Sequence, residues 1–115
     1  MSEAWPVYQM GVIDSTNTEA KRRVLTGFHD QWLAASQQTA GRGRQDRQWL
    51  SPAGNIYATA LFREPGGLAV ALRLPFACAL AVHDVVAAYA PKADARLKWP
   101  NDVRIDRRKV SGILV

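Results

Sequence analysis

The chain has 115 residues, 48% apolar and 22% charged, a globular composition that excludes disorder and suits one domain with a real core. Its net charge is +5, and eleven of its fifteen basic residues are arginine. That flat, permanently charged fork suits phosphate and carboxylate, so an anionic partner is expected: nucleotide, nucleic acid or membrane surface. The single cysteine, Cys78 in "FACALAV", excludes a disulfide framework or thiolate metal cluster and reads as a small core residue.

The N-terminal "MSEAWPVYQM" lacks the basic and apolar blocks of a signal peptide. No apolar run reads as long enough to span a membrane, so a cytoplasmic location is the default. Trp5 to Ile13 reads as a first strand. "DSTNTEAKRRVL" follows as a helix, with Asn17 or Thr16 as its cap, Glu19 in the first turn and Gly27 as its stop. "QWLAASQ" is a short apolar strand. Next comes "QTAGRGRQDRQW", too polar and glycine-rich to pack. "SPAGN" is a turn, and "NIYATALF" a strand with Tyr57, Thr59 and Leu61 on one face. After the turn "REPGG", Pro75 opens a helix through "PFACALAVHDVVAAYA", apolar nearly all round and so expected to be buried on most sides. "RLKWPNDVRIDRRKVSGILV" reads as two strands joined by a turn at Asp106 to Arg108. The order β-α-β-loop-β-α-β-β predicts an α+β or mixed α/β layer fold, one sheet covered by two helices. The apolar run at the end reads as a strand in progress and suggests a portion of a longer protein.

Four stretches could carry chemistry. In the loop, Gly41 and Gly43 permit close backbone approach to a ligand, Arg42, Arg44 and Arg47 supply charge, Asp46 cancels part of it, and Trp49 offers a flat stacking surface. Charged forks beside an aromatic describe a nucleotide well; a solvated basic loop with a core tryptophan is the plain alternative, and the spacing is not that of a P-loop. "KWPND" fixes a turn that presents Asn101 and Asp102: an amide suited to a base edge and a carboxylate suited to a ribose hydroxyl or magnesium. Lys109 leans from a strand on which alternation puts it on the same face as Ser111, and could neutralise a phosphate. "DSTN", Asp14 to Asn17, sits where helix N–H groups and hydroxyls can hold a polar ligand head, or it is simply a cap. His29 and His83 suggest nothing catalytic, and neither a Ser/His/Asp set nor metal-ligand spacing can be assembled.

In this order, "DSTN", "QTAGRGR..R.W", "SP.GN.Y", "KWPND" and "K..GIL" resemble the catalytic domain of bacterial biotin protein ligases, from Asp14 to Val115. The resemblance implies a class II synthetase-like catalytic domain with a mixed β-sheet covered by helices, of which residues 1–115 would be the N-terminal portion. It implies that biotin and ATP, with Mg2+, form biotinyl-5′-AMP, and that biotin then passes to a lysine of the biotin carboxyl carrier protein of acetyl-CoA carboxylase. It assigns Ser15, Thr16, Asn17, Gln38, Gly41, Arg42, Gly43, Arg44 and Lys109 to biotin. It assigns Arg44, Arg47, Trp49, Asn101 and Asp102 to the nucleotide, and catalysis to Arg42 and Lys109, with no metal held by the protein.

The resemblance has limits. The family's loop usually carries a third glycine where this chain has Asp46, whose charge is expected to loosen the hold on phosphate. A helix-turn-helix before the domain is not expected, and with it neither DNA binding nor a repressor role, nor is a membrane partner expected; a homodimer is left open. The family's further strands and β-barrel are absent from these 115 residues, which are expected to bind biotinyl-AMP poorly by themselves; nanomolar binding by calorimetry would overturn that. A lipoate ligase is disfavoured by "GRGR" with "KWPND". A basic single-stranded nucleic-acid-binding module is the reading from another class; steep loss of DNA affinity with salt and no ATP–biotin exchange would favour it. An inactive ligase fragment is a further alternative.

Overall fold

The computed structural model describes residues 3–27 and 29–115. The chain forms two compact units, divided between Arg63 and Glu64.

In the first unit, the expected opening strand is broken. Strands β1 (Val7–Gln9) and β2 (Val12–Ile13) flank Gly11, whose φ of +66° takes the chain out of extended geometry. Around this kink, Met10 N–H donates to the Ala34 carbonyl (2.7 Å) and Ser36 N–H to that of Gly11 (2.8 Å). Each half therefore finds its own parallel partner. β1 pairs with β3 (Gln31–Ala35), and β2 with β4 (Gln37–Gln38). β5 (Tyr57–Leu61) completes a mixed three-stranded sheet by pairing antiparallel with β3, in the order β1-β3-β5. Helix α1 (Thr16–Thr26) packs on β3 and β5. Its cap is Ser15, where Asn17 or Thr16 was expected: the Ser15 hydroxyl accepts from Thr18 N–H at 3.3 Å. Gly27 ends the helix at φ +119°, as expected. Ala20, Leu33, Ala35 and Tyr57 form the buried apolar core.

In the second unit, a short helix that the sequence reading missed, α2 (Gly67–Ala71), precedes α3 (Leu74–Tyr89). Two glycines and only five residues left no periodic signal. α3 packs on a three-stranded antiparallel sheet, against β6 (Ala95–Lys98) and β7 (Asp102–Ile105), with β8 (Arg108–Gly112) outermost. The expectation of two strands fails because the first is cut at Trp99–Asn101, where Pro100, joined by a cis bond, has no N–H to give a ladder. The turn expected at Asp106 to Arg108 is present. Asp106 (φ +49°) and Arg107 (φ +71°) are both left-handed, the geometry a two-residue hairpin demands.

Two further expectations are corrected. Among the described residues the strands pair in three ladders rather than one sheet, although the α+β class and the mixed pairing hold. α3 is not buried on most sides: its buried residue is Ala79, while Leu80, Val85 and Tyr89 are exposed. The sheet of its own unit covers one side of a helix that is apolar all round. The 23-residue stretch Gly67–Tyr89, whose most apolar 18-residue window has a mean hydropathy of 1.6, is also long and apolar enough to cross a membrane by length and composition alone. Leu72 and Arg73 separate α2 from α3 within this stretch, and Pro75 sits in the first turn of α3.

Candidate functional site

The first group of predicted residues is brought together at the N-terminus of α1. Gln38, at the end of β4, reaches across to the helix. Its Oε1 accepts from Thr16 N–H (2.8 Å) and from the Thr16 hydroxyl (3.2 Å), while its Nε2 donates to Ser51 Oγ (3.1 Å). The Thr59 hydroxyl, projecting from β5, lies 2.8 Å from Thr16 Oγ1 and 2.5 Å from Asn17 Oδ1. Ser15, Thr16 and Ser51 are buried, with exposures of 4%, 4% and 7%. Buried hydroxyls in a small unit have to be satisfied, and here the Gln38 amide, Thr59 and backbone groups satisfy them. The result is a patch of neutral donors and acceptors.

Beside it stands the arginine-glycine loop. Its neck is closed by Trp49 N–H donating to the Gly41 carbonyl (2.9 Å) and by an antiparallel bridge between Gln38 and Ser51. Gly41 is buried, and no side chain fits there. A methyl on Gly41 would lie 2.6 Å from both Ser51 Oγ and the Trp49 carbonyl oxygen, and 2.9 Å from Gln38 Nε2. Past the neck, Arg42 and Gln48 form a bridge, Gly43 N–H donates to the Arg47 carbonyl (2.7 Å), and residues Arg44–Asp46 make a single tight turn. Gln45 (φ +57°) and Asp46 (φ +58°) are left-handed. Asp46 thus takes the backbone geometry that a glycine would hold with less strain. Its carboxylate faces Arg42, with Nε to Oδ1 at 3.8 Å, and both side chains are exposed. Arg44 and Arg47 are exposed, and Trp49 is half-buried.

Asn101, Asp102 and Lys109 form a second group, in the other unit. Lys109 Nζ and Asp102 Oδ1 are 3.0 Å apart across the β7–β8 ladder. The alternation expected to put Lys109 and Ser111 on one face is interrupted, because the register shifts at Val110, between the pairs Val103–Ser111 and Arg104–Lys109. Asn101 is buried. Its Nδ2 donates to the Ile113 carbonyl, while its Oδ1 has no hydrogen-bond partner. His83 is structural, its Nε2 lying 3.1 Å from the Ala95 carbonyl oxygen.

Sequence reasoning missed Thr59 and Ser51. The alternation of β5 placed Thr59 on the face of the buried Tyr57, which was the one available signal; Ser51 was read only as part of a turn.

Behind the patch, Asp14 accepts from Ser15 N–H (2.7 Å) and pairs with Arg22, which also meets Glu19 (2.6 Å); Arg23 meets Glu19 at 3.1 Å. The Ser15 N–H, then Arg22, hold the Asp14 carboxyl below its ordinary value, and Arg22, then Arg23, do the same for Glu19. A carboxyl depressed by folding contributes stability above its unfolded pKa and loses that contribution as pH falls through its folded value. Thermal melts of the wild type should therefore drop on acidification below about pH 4. The double variant Asp14→Asn, Glu19→Gln should melt lower at pH 7 and lose less between pH 7 and 3; parallel curves would contradict this.

A mixed sheet backed by a helix, a neutral polar patch at that helix's start and a cationic loop beside it define a family as well as a site. The chain belongs to the Biotin/lipoate A/B protein ligase family, which it matches over residues 10–115. Over 103 residues it is 44% identical to the biotin–[acetyl-CoA-carboxylase] ligase of Paracoccus denitrificans, covering 89% of this chain and 43% of that protein. Over 105 residues it is 37% identical to the bifunctional ligase/repressor BirA of Escherichia coli K12, covering 90% and 32%. Among solved structures, the biotin protein ligase of Aquifex aeolicus in complex with biotin and ATP superposes with a TM-score of 0.80 at 34% identity, covering 95% of this chain and 45% of that one. The Leishmania major biotin protein ligase in complex with biotinyl-5-AMP gives 0.80 at 27%, covering 95% and 51%. The chain spans less than half the length of these curated relatives.

Proposed function

We propose that the protein is an ATP-dependent ligase that activates biotin as biotinyl-5′-AMP and transfers it to a lysine of the biotin carboxyl carrier protein. The observation that carries this reading is the pairing, in one unit, of a neutral hydrogen-bonding patch (Thr16, Asn17, Gln38, Thr59) with a guanidinium loop closed immediately beside it. A ligand with an uncharged polar head and an anionic tail matches both halves, and biotin, with a ureido ring and a carboxylate, is such a molecule. Relatives solved with biotin, ATP and biotinyl-5-AMP support the same choice.

In the first step a carboxylate oxygen of biotin attacks the α-phosphorus of ATP. The new P–O bond forms as the bond to the β-phosphate oxygen breaks, and pyrophosphate leaves with the electron pair. Two anions must meet, so cations have to surround them, and these count for more where water is excluded. Ser15, Thr16, Asn17 and Gln38 are assigned to the biotin head. Gly41 and Gly43 let backbone approach it, and Arg42 and Arg44 take the carboxylate and α-phosphate. Arg47 and Trp49 go to the nucleotide, with Asn101 and Asp102. Lys109, now paired with Asp102, is assigned to the same reacting anions. Among the described residues no group of three or more His, Cys, Asp or Glu side chains could hold a metal, so magnesium is proposed to arrive on the ATP phosphates as part of the substrate. In the second step the neutral carrier amine attacks the acyl carbon. The C–N bond forms, the C–O bond breaks with its electron pair leaving on the AMP phosphate, and the proton given up by the amine passes to solvent. A cytoplasmic setting belongs to the same proposal.

Incubating the protein with biotin, magnesium ATP and a carrier domain should add the mass of one biotin to the carrier, and Lys109→Ala should suppress it. Absence of both the mass gain and biotin-dependent pyrophosphate exchange would sink the reading. Asp46 competes with ligand anions for Arg42, so Asp46→Gly should slow release of biotinyl-AMP; an unchanged release rate would contradict that role.

A further inference from the structure

Gln38 is held at both ends, and the second end leads to a residue with no assigned part. The Ser51 hydroxyl lies 2.9 Å from the Trp49 carbonyl oxygen, which can only accept, so the Ser51 proton is committed there. Ser51 Oγ is then an acceptor toward Gln38, and the amide atom facing it at 3.1 Å must be Nε2. At the other end, Thr16 N–H can only donate, so the atom it meets at 2.8 Å must be Oε1. The two constraints agree and leave the amide a single orientation. Both lone pairs of Oε1 are taken by Thr16. One Nε2 hydrogen is taken by Ser51, and the other remains for a ligand acceptor.

We propose that Ser51 is a positioning residue for the biotin head: through Gln38 Nε2 it sets which hydrogen Gln38 offers, and through the Trp49 carbonyl it ties that choice to the closed neck of the loop. Ser51 touches no ligand itself. It is 7% exposed, and its hydroxyl is one of the atoms a methyl on Gly41 would strike. Ligand head, loop neck and helix N-terminus are thereby joined through one hydroxyl. Without it, Gln38 keeps only its Thr16 contacts and its Nε2 can swing away from the patch. This rests on the ligase reading above, since biotin is the ligand named.

The test has two independent readouts. By calorimetry, Ser51→Ala should weaken biotin binding roughly tenfold, the scale of one well-placed hydrogen bond, while ATP affinity stays nearly fixed. Gln38→Ala should weaken it too, and the double variant no further than Gln38→Ala, because Ser51 acts only through Gln38. By hydrogen exchange, the Thr16 amide should lose protection in Ser51→Ala. Equal losses for biotin and ATP, additive effects in the double variant, or an unchanged Thr16 amide would each overturn the assignment. If the Thr16 amide responds as expected but a chain carrying the whole catalytic domain binds no biotin, the ligase reading fails, and with it the biotin role given to Ser51.

Discussion

Arg42→Ala is expected to slow formation of biotinyl-5′-AMP by about two to three orders of magnitude, the typical cost of removing one group that stabilises charge at a reacting centre. The same change should barely move the melting temperature. Arg42 is exposed, its Nε stands 3.8 Å from Oδ1 of an exposed Asp46, and its Nη1 is 3.5 Å from the Asp46 carbonyl oxygen. Surface pairs of that kind contribute little to stability. A stability screen would rank Arg42 among the dispensable residues, and an activity screen among the least dispensable. Pyrophosphate exchange beside a thermal melt makes the comparison. If exchange persists near the wild-type rate, Arg42 has no place in the chemistry; if melting falls along with exchange, the arginine is structural.

Gly41→Ala should give the opposite signature, losing stability and ligand binding together. The added methyl meets the Trp49 carbonyl, which is backbone and tied to the neck, and two polar atoms whose positions are fixed by hydrogen bonds. None is the loose end of a flexible side chain, so the neck must open. Overpacking of this kind costs about 1–3 kcal/mol, and here it falls on the contacts that orient Gln38. Gly43→Ala is the control. Its methyl would sit 3.7 Å from the Trp49 ring and 3.8 Å from the Arg47 carbonyl, ordinary contact distances. Melting should drop for Gly41→Ala and hold for Gly43→Ala. Equal tolerance at both positions would mean that the neck is not the rigid element described.

What the sequence conveyed was local chemistry. "DSTN" announces a helix start because a hydroxyl there satisfies an N–H three residues on, and only the identity of the cap, Ser15, had to be corrected. Gly27 and the Asp106–Arg107 turn were legible for similar reasons, since their backbone angles are open to few residues. Asp46 was legible as a misfit in charge and as an acceptable left-handed residue. Contacts between distant segments were not. Thr59 meets Thr16 across 43 positions and Asn17 across 42, and no periodicity encodes such a meeting. The break at Gly11 was hidden because both halves of the segment are β-rich; parallel pairing with two different partners divides them. α3 was misjudged because an apolar circumference states what a helix could cover, not what its own unit supplies.

The closed neck also has a thermodynamic consequence. Fixing a free backbone costs about 1–2 kcal/mol per residue, a heavy toll for a loop proposed to settle over a ligand. The stretch from Arg42 to Gln48 begins and ends at anchored points, and its own bridge, turn and Gly43–Arg47 hydrogen bond already restrict it. Much of the entropy is therefore spent during folding, before any ligand arrives. What remains for the ligand to order is chiefly the outer guanidinium groups, so arginine contacts that are individually modest can appear almost undiminished as affinity.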